Sequence, residues 1–148
     1  MNPLIAAVNE TFEMMLDCTA ERKQLELRSA STPLLDLSAV IGISGQAKGA
    51  VCLSFALETA LAIVERFVGV EASRATPEVL DALGEVVNIV AGSTKSKINM
   101  GLNMGLPNVV HGIDHKIDFP TNSHPIRLHF DSGLGPFVVD FGFVVRDF

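Results

Sequence analysis

No block of lysine or arginine occurs in this 148-residue chain, whose formal charge is −6 and whose pI is about 5.1. Without a basic patch nothing gathers phosphates by counterion release, so nucleic acid is not an expected partner. Cysteine is scarce as well. Cys18 and Cys52 are the only two, too few and too far apart for a disulfide framework or a CxxC redox pair, and each sits among apolar neighbours as a small core hydrophobe. Long apolar runs are missing: polar residues interrupt each one well before the about 20 residues of a membrane span. The opening stretch MNPLIAAVNETFEMML has neither a basic start nor a small-residue cleavage site, which leads us to expect a soluble, cytoplasmic protein with no membrane association. In that setting the sequon Asn9-Glu10-Thr11 carries no meaning.

What remains is ordinary globular composition, 48% hydrophobic and 19% charged, with Gly 12 and Pro 7. A chain of 15.8 kDa fits one core, so residues 1–148 read as a single domain. Leu4, Ile5, Val8, Phe12, Met15 and Leu16 fall at helical spacing and predict an amphipathic first helix over 2–18. LELRS reads as a short strand. AVIGISGQAKGAVCLSF reads as a hairpin turning at GQAKG, with Val51, Leu53 and Phe55 on the inward face opposite the smaller Ala50, Cys52 and Ser54. A second helix spans 57–68 and stops at Gly69. Thr76-Pro77-Glu78 then supplies an N-cap, a proline at the first helical position and an early acid, opening a long helix over about 77–100 that Gly101 and Gly105 break.

The last third returns to β signals: NVVHGID, a run around HKIDF, then PIRLHF and PFVVDFGFVV joined by DSGLG. Ile126, Leu128 and Phe130 alternate with Arg127 and His129; Phe137, Val139, Phe141, Phe143 and Val145 alternate with Asp140, Gly142 and Arg146. Successive strands joined by short turns imply an α+β fold, an antiparallel sheet with helices packed on one face.

The long helix is unusual in how little of it is polar. On a helical wheel at about 100° per residue, Glu78, Asp81, Glu85, Asn88, Gly92, Lys95, Ser96 and Asn99 share an arc of roughly 100°. Val79, Leu80, Leu83, Val86, Val87, Ile89, Val90, Ala91 and Ile98 take the rest. Such a helix is packed on both flanks and shows one stripe to water or to another molecule. Gly92, one turn beyond Asn88, costs about 1 kcal/mol relative to alanine, and a bare backbone there would let a partner approach closely.

The run Asp81-Ala-Leu-Gly-Glu85-Val-Val-Asn88-Ile-Val-Ala-Gly92, followed by Pro107-Asn-Val-Val-His-Gly112, resembles the CheX/CheC/FliY group of chemotaxis phosphatases. Their signature is Asp or Ser, three residues, Glu, two residues, Asn on a helix, with a proline downstream. CheC-type members carry two copies; neither the first helix nor residues 57–68 holds a second Glu-x-x-Asn, so the resemblance is to a CheX-like protein. Pro107 follows Asn88 about one helical turn sooner than that pattern implies, so the helix end or the loop after it is expected to be shortened.

The resemblance implies a substrate, the phosphorylated aspartate of a CheY-like receiver domain, which brings its own Mg²⁺ and lysine. No cofactor of the protein's own is then needed. Asn88 is implied to hold the attacking water and Glu85 to anchor the receiver's lysine, with Asp81, Gly92, Lys95 and Ser96 as further partner contacts along the stripe. CheX-like relatives look dimeric through their sheets, and a closing hairpin that ends at Phe148 would leave an edge to pair. The competing reading keeps fold and stripe but not turnover: a non-catalytic module that docks a receiver, or a motor or receptor component. Other constellations are weaker. His111 and His115 flank Gly112 at a spacing that does not aim both at one ion, so no metal is expected. GSTKS lacks phosphate-loop spacing and lies within the helix, and Thr94 falls on the buried side.

Overall fold

The helices form where apolar residues recur at helical spacing. In this computed structural model, which describes residues 2–29, 32–98, 100–112 and 117–145, α1 spans Asn2–Leu16, α2 Leu57–Val68 and α3 Pro77–Lys97. Gly69 ends α2 in the left-handed region at φ 75°, and its N–H bonds to the Glu65 carbonyl at 2.8 Å. Thr76 caps α3, its Oγ1 accepting from the Val79 N–H at 3.3 Å with Pro77 following. The sequence placed the end of this helix near Met100; it ends at Lys97, because Ile98 turns extended and its N–H folds back to the Lys95 carbonyl.

The strands are β1 Ala20–Leu27, β2 Leu37–Gly45, β3 Ala47–Phe55, β4 Leu102–Met104, β5 Asn108–His111, β6 Ile126–Ser132 and β7 Gly135–Val145. Every pairing is antiparallel, in the order β1-β6-β7-β3-β2-β4, with β5 also on β2. Two elements differ from the sequence expectation. β1 starts at Ala20, well before LELRS, and all its residues but Ala20 are exposed; backbone pairing with β6 makes it a strand, and an edge strand that carries charges shows no alternation to read. β4 is three residues long between Gly101 and Gly105, too short for a period. Of the run around HKIDF, His115 and Lys116 lie outside the described residues, and 117–119 form no strand.

One core fills the space between the sheet and the helices, built on Phe12, Phe55, Phe130 and Phe137 with Leu37, Leu53, Ile63, Leu83 and Leu128. Phe137 stacks on Phe12 and on Phe130 with ring centroids 4.9 and 5.1 Å apart. β3, expected to pack inward on one face, is buried on both: Ala50, Cys52 and Ser54 are as enclosed as Val51, Leu53 and Phe55. The face away from the helices is covered by irregular backbone that includes residues 28–29, 32–36 and 119–125. Phe119, Ser123 and Pro125 lie against Gly142, and Leu35 donates its N–H to Ser54 Oγ at 2.7 Å.

Asp140 and Arg127, on the polar side of the β6–β7 alternation, are therefore not solvated. Asp140 Oδ1 accepts from Arg127 Nε at 2.7 Å, and Oδ2 accepts from Arg127 Nη2 and Arg28 Nε, both at 2.8 Å. Burial works against the charge on Arg127, but the Asp140 carboxylate outweighs it and raises the guanidinium pKa. The remaining donors bind the covering segment: Arg127 Nη2 reaches the Pro33 carbonyl at 2.8 Å, and Arg28 lies 5.3 Å from the Phe119 ring centroid.

Candidate functional site

The exposed stripe of α3 follows from what packs around it. Val79, Ala82, Leu83, Val86, Val87, Val90, Ala91 and Thr94 are buried against α1, α2 and the sheet. Glu78, Asp81, Glu85, Asn88, Gly92, Lys95 and Ser96 are all exposed, as the wheel required; Asn99 lies outside the described residues. Thr94, on the buried side, donates its hydroxyl to the Val90 carbonyl at 2.8 Å, so the GSTKS stretch is helix rather than phosphate loop.

Half of the stripe faces a wall. Asp81, Glu85 and Asn88 line an open groove of about 650 Å³ with Pro77, Leu80 and Gly84 of the same helix and with Leu106, Pro107, Asn108 and Val109 opposite. Gly84 faces that wall directly: a Cβ there would sit 3.4 Å from Val109 Cγ2, in van der Waals contact with it. A carboxylate and a carboxamide one helical turn apart thus share a cleft with the downstream segment Leu106–Val109, which carries Pro107. Between Asn88 and Pro107 the helix stops at Lys97 and β4 begins at Leu102.

The remaining sequence-assigned contacts are separate from this groove. Gly92, Lys95 and Ser96 continue the stripe beyond it, and a Cβ on Gly92 would meet nothing within 4 Å. Ser96 is partly engaged already, its hydroxyl donating to the Ser93 carbonyl at 2.8 Å. Nearby, Lys97 pairs with Glu10 of α1 at 2.9 Å and holds that carboxyl below its ordinary range. Among the described residues no three His, Cys, Asp or Glu side chains come together as a metal site; His115 lies outside them. Leu106, Asn108 and Leu80 were not anticipated as groove residues. Asn108 lies inside the downstream motif, whereas Leu106 carried no signal.

The chain is thus an antiparallel α+β protein that presents Glu85 and Asn88 in an open cleft on its longest helix. Residues 37–131 match the family of the chemotaxis phosphatase CheX, and the chain belongs to that family. It is 33% identical over 121 residues to the CheY-P phosphatase CheX of Thermotoga maritima, spanning 79% of this chain and 78% of that protein. Among solved structures, a CheC-like superfamily protein from Shewanella sp. PV-4 superposes with a TM-score of 0.85 at 26% identity, covering 97% of this chain and 96% of the other. Chemotaxis protein CheX from Desulfovibrio desulfuricans does so at 0.83 and 26%, covering 98% and 97%.

Proposed function

We propose that the protein accelerates hydrolysis of the aspartyl phosphate on a CheY-like receiver domain by inserting Asn88 into the receiver's active site. The observation that carries this reading is the joint exposure of Glu85 and Asn88 in one open groove, in a chain related to a CheY-P phosphatase.

An acyl phosphate is already activated, and the receiver's own Mg²⁺ and lysine hold the phosphoryl oxygens. What is missing is a water held in line with the P–O bond. The Asn88 amide offers a carbonyl acceptor and N–H donors, so it orients that water without titrating. The water oxygen bonds to phosphorus, the bond to the aspartyl oxygen breaks, and inorganic phosphate leaves with the regenerated carboxylate. A carboxylate leaving group and a loose transition state ask for no general base. Glu85, one turn earlier, binds the receiver's lysine through a charge-assisted contact and so sets where Asn88 lies. Asp81 extends the acidic side of the groove, and Gly92, Lys95 and Ser96 lie on the receiver's path along α3.

The test is a time course of phosphate loss from a labelled receiver. Asn88→Ala is expected to lose stimulated hydrolysis while complex formation stays near wild type, since misplacing a water by about 1 Å costs on the order of 10²-fold. Glu85→Ala is expected to weaken binding in a salt-sensitive way. An Asn88→Ala protein with full activity would sink the mechanism, and wild-type protein that binds without accelerating turnover would leave a docking module instead. The same proposal sets the protein in the cytoplasm as a homodimer.

A further inference from the structure

β4 and β5 are two halves of one strand laid along β2. Ile43 pairs with Met104, and Val40 pairs with Asn108. Between these pairs, Ile41 and Gly42 of β2 face Gly105, Leu106 and Pro107, two residues opposite three, which is the signature of a β-bulge. Pro107 has no N–H to give to a ladder, so an irregularity is expected where it stands. The bulge is nevertheless tied down: the Gly105 N–H bonds to the Gly42 carbonyl at 2.9 Å.

The extra residue reverses the alternation. Leu102 and Met104 point to the core, and by the period of two Leu106 would follow them inward. Instead the next side chain packed against the core is Val109, an odd number of residues after Met104 (109 − 104 = 5). Leu106 is turned out and is 83% exposed. Met14 and Leu27 are almost as exposed, at 80% and 78%, so exposure by itself says little. Leu106 differs in being held between two strands that share a partner, with its backbone narrowed by the proline after it, and in forming the rim of the groove that holds Glu85 and Asn88.

We infer that Leu106 is a docking residue for the partner: the bulge presents it as an apolar anchor that meets an apolar side chain on the receiver surface bordering the phosphorylated aspartate. This rests on the function proposed above. The occupant follows from the chemistry of the groove, which sets an aliphatic wall of Leu106, Pro107 and Val109 against an acidic wall of Asp81 and Glu85. That pattern fits a surface where an apolar group lies beside a lysine. Enclosing a leucine side chain on binding removes its apolar surface from water, which favours the complex.

The experiment titrates phosphorylated receiver against wild type, Leu106→Ala and Leu106→Asp, each first checked for an unchanged melting temperature, as an exposed side chain predicts. Leu106→Ala is expected to raise KM on the order of tenfold with kcat retained, and Leu106→Asp to raise it further. Asn88→Ala should show the reverse pattern, lost kcat with KM retained. Identical titration curves for wild type and both Leu106 variants would overturn the inference while leaving the phosphatase reading intact. Wild type that binds the receiver without accelerating turnover would overturn the phosphatase reading, and the Leu106 variants would then be scored on the dissociation constant alone, equal values again ending the inference.

Discussion

At the residue scale, what a side chain can do here depends on which face of the sheet or helix encloses it. Glu85, Asn88 and Asp81 were legible in the sequence because a 3.6-residue period separates a narrow polar stripe from two packed flanks. Leu106 was not legible, because its outward position depends on one extra residue between strands too short to show a period. Cys52 was readable as a core residue, but not its neighbourhood. Burial, and after it the nearby Asp140 carboxylate, pushes the thiol from its ordinary 9.0 up to about 12. Below about pH 9 the thiol is protonated in both folded and unfolded chains and contributes no pH dependence. Between about 9 and 12 the unfolded chain gives up the proton and the folded chain keeps it, so stability falls with rising pH by at most about 1.4 kcal/mol per unit. Tyrosine is absent, which leaves this alkaline window without phenol titration. Urea melts from pH 8 to 11 are expected to show a shallower decline for Cys52→Ala than for wild type; parallel declines would refute the assignment.

At the element scale, α3 couples folding to presentation of the site. Its N-terminus was marked by Thr76 and Pro77 and formed where those residues placed it; its C-terminus was less clear, since Ile98 and Met100 continue the apolar pattern after the backbone has left the helix. Gly92 is the costly position. It lies inside the helix at an exposed site, and a Cβ there would touch nothing within 4 Å. Gly92→Ala is therefore expected to stabilise the protein by about 1 kcal/mol, raising the melting temperature by roughly 2–4 °C for a domain of this size. If the receiver approaches the bare backbone one turn beyond Asn88, the same substitution raises KM despite the gain in stability. A variant that is more stable and equally active would show that this glycine serves no close approach, and the partner contact assigned to it would be withdrawn.

At the scale of the whole molecule, the alternating strands announced an antiparallel sheet with helices on one face, but they also suggested that the closing hairpin would supply a free edge. β7 instead lies between β6 and β3, and the edges are β1 on one side and β4 with β5 on the other. Nor is the second face of the sheet open, because Arg28, Arg127 and Asp140 hold residues 32–36 and 119–125 over it. No sequence period could reveal this: a charged residue in an alternating strand reads as solvated until the segment that covers it is known. The cluster sets two guanidinium groups on a single carboxylate, all nearly inaccessible to water, so removing the carboxylate strands two buried cations. Asp140→Asn, nearly identical in shape, is expected to cost about 3 kcal/mol or more. Replacing the three together by Asp140→Leu, Arg28→Met and Arg127→Met should recover much of that loss, since a buried ion cluster and well-packed apolar residues are often close in energy. Asp140 lies on the face of the sheet away from α3, so the proposed phosphatase activity should be retained by the folded fraction of both variants. Urea unfolding monitored alongside receiver dephosphorylation separates the two quantities: a stable Asp140→Asn would show that the cluster does not hold the cover, and a folded but inactive one would show that the covered face communicates with the groove.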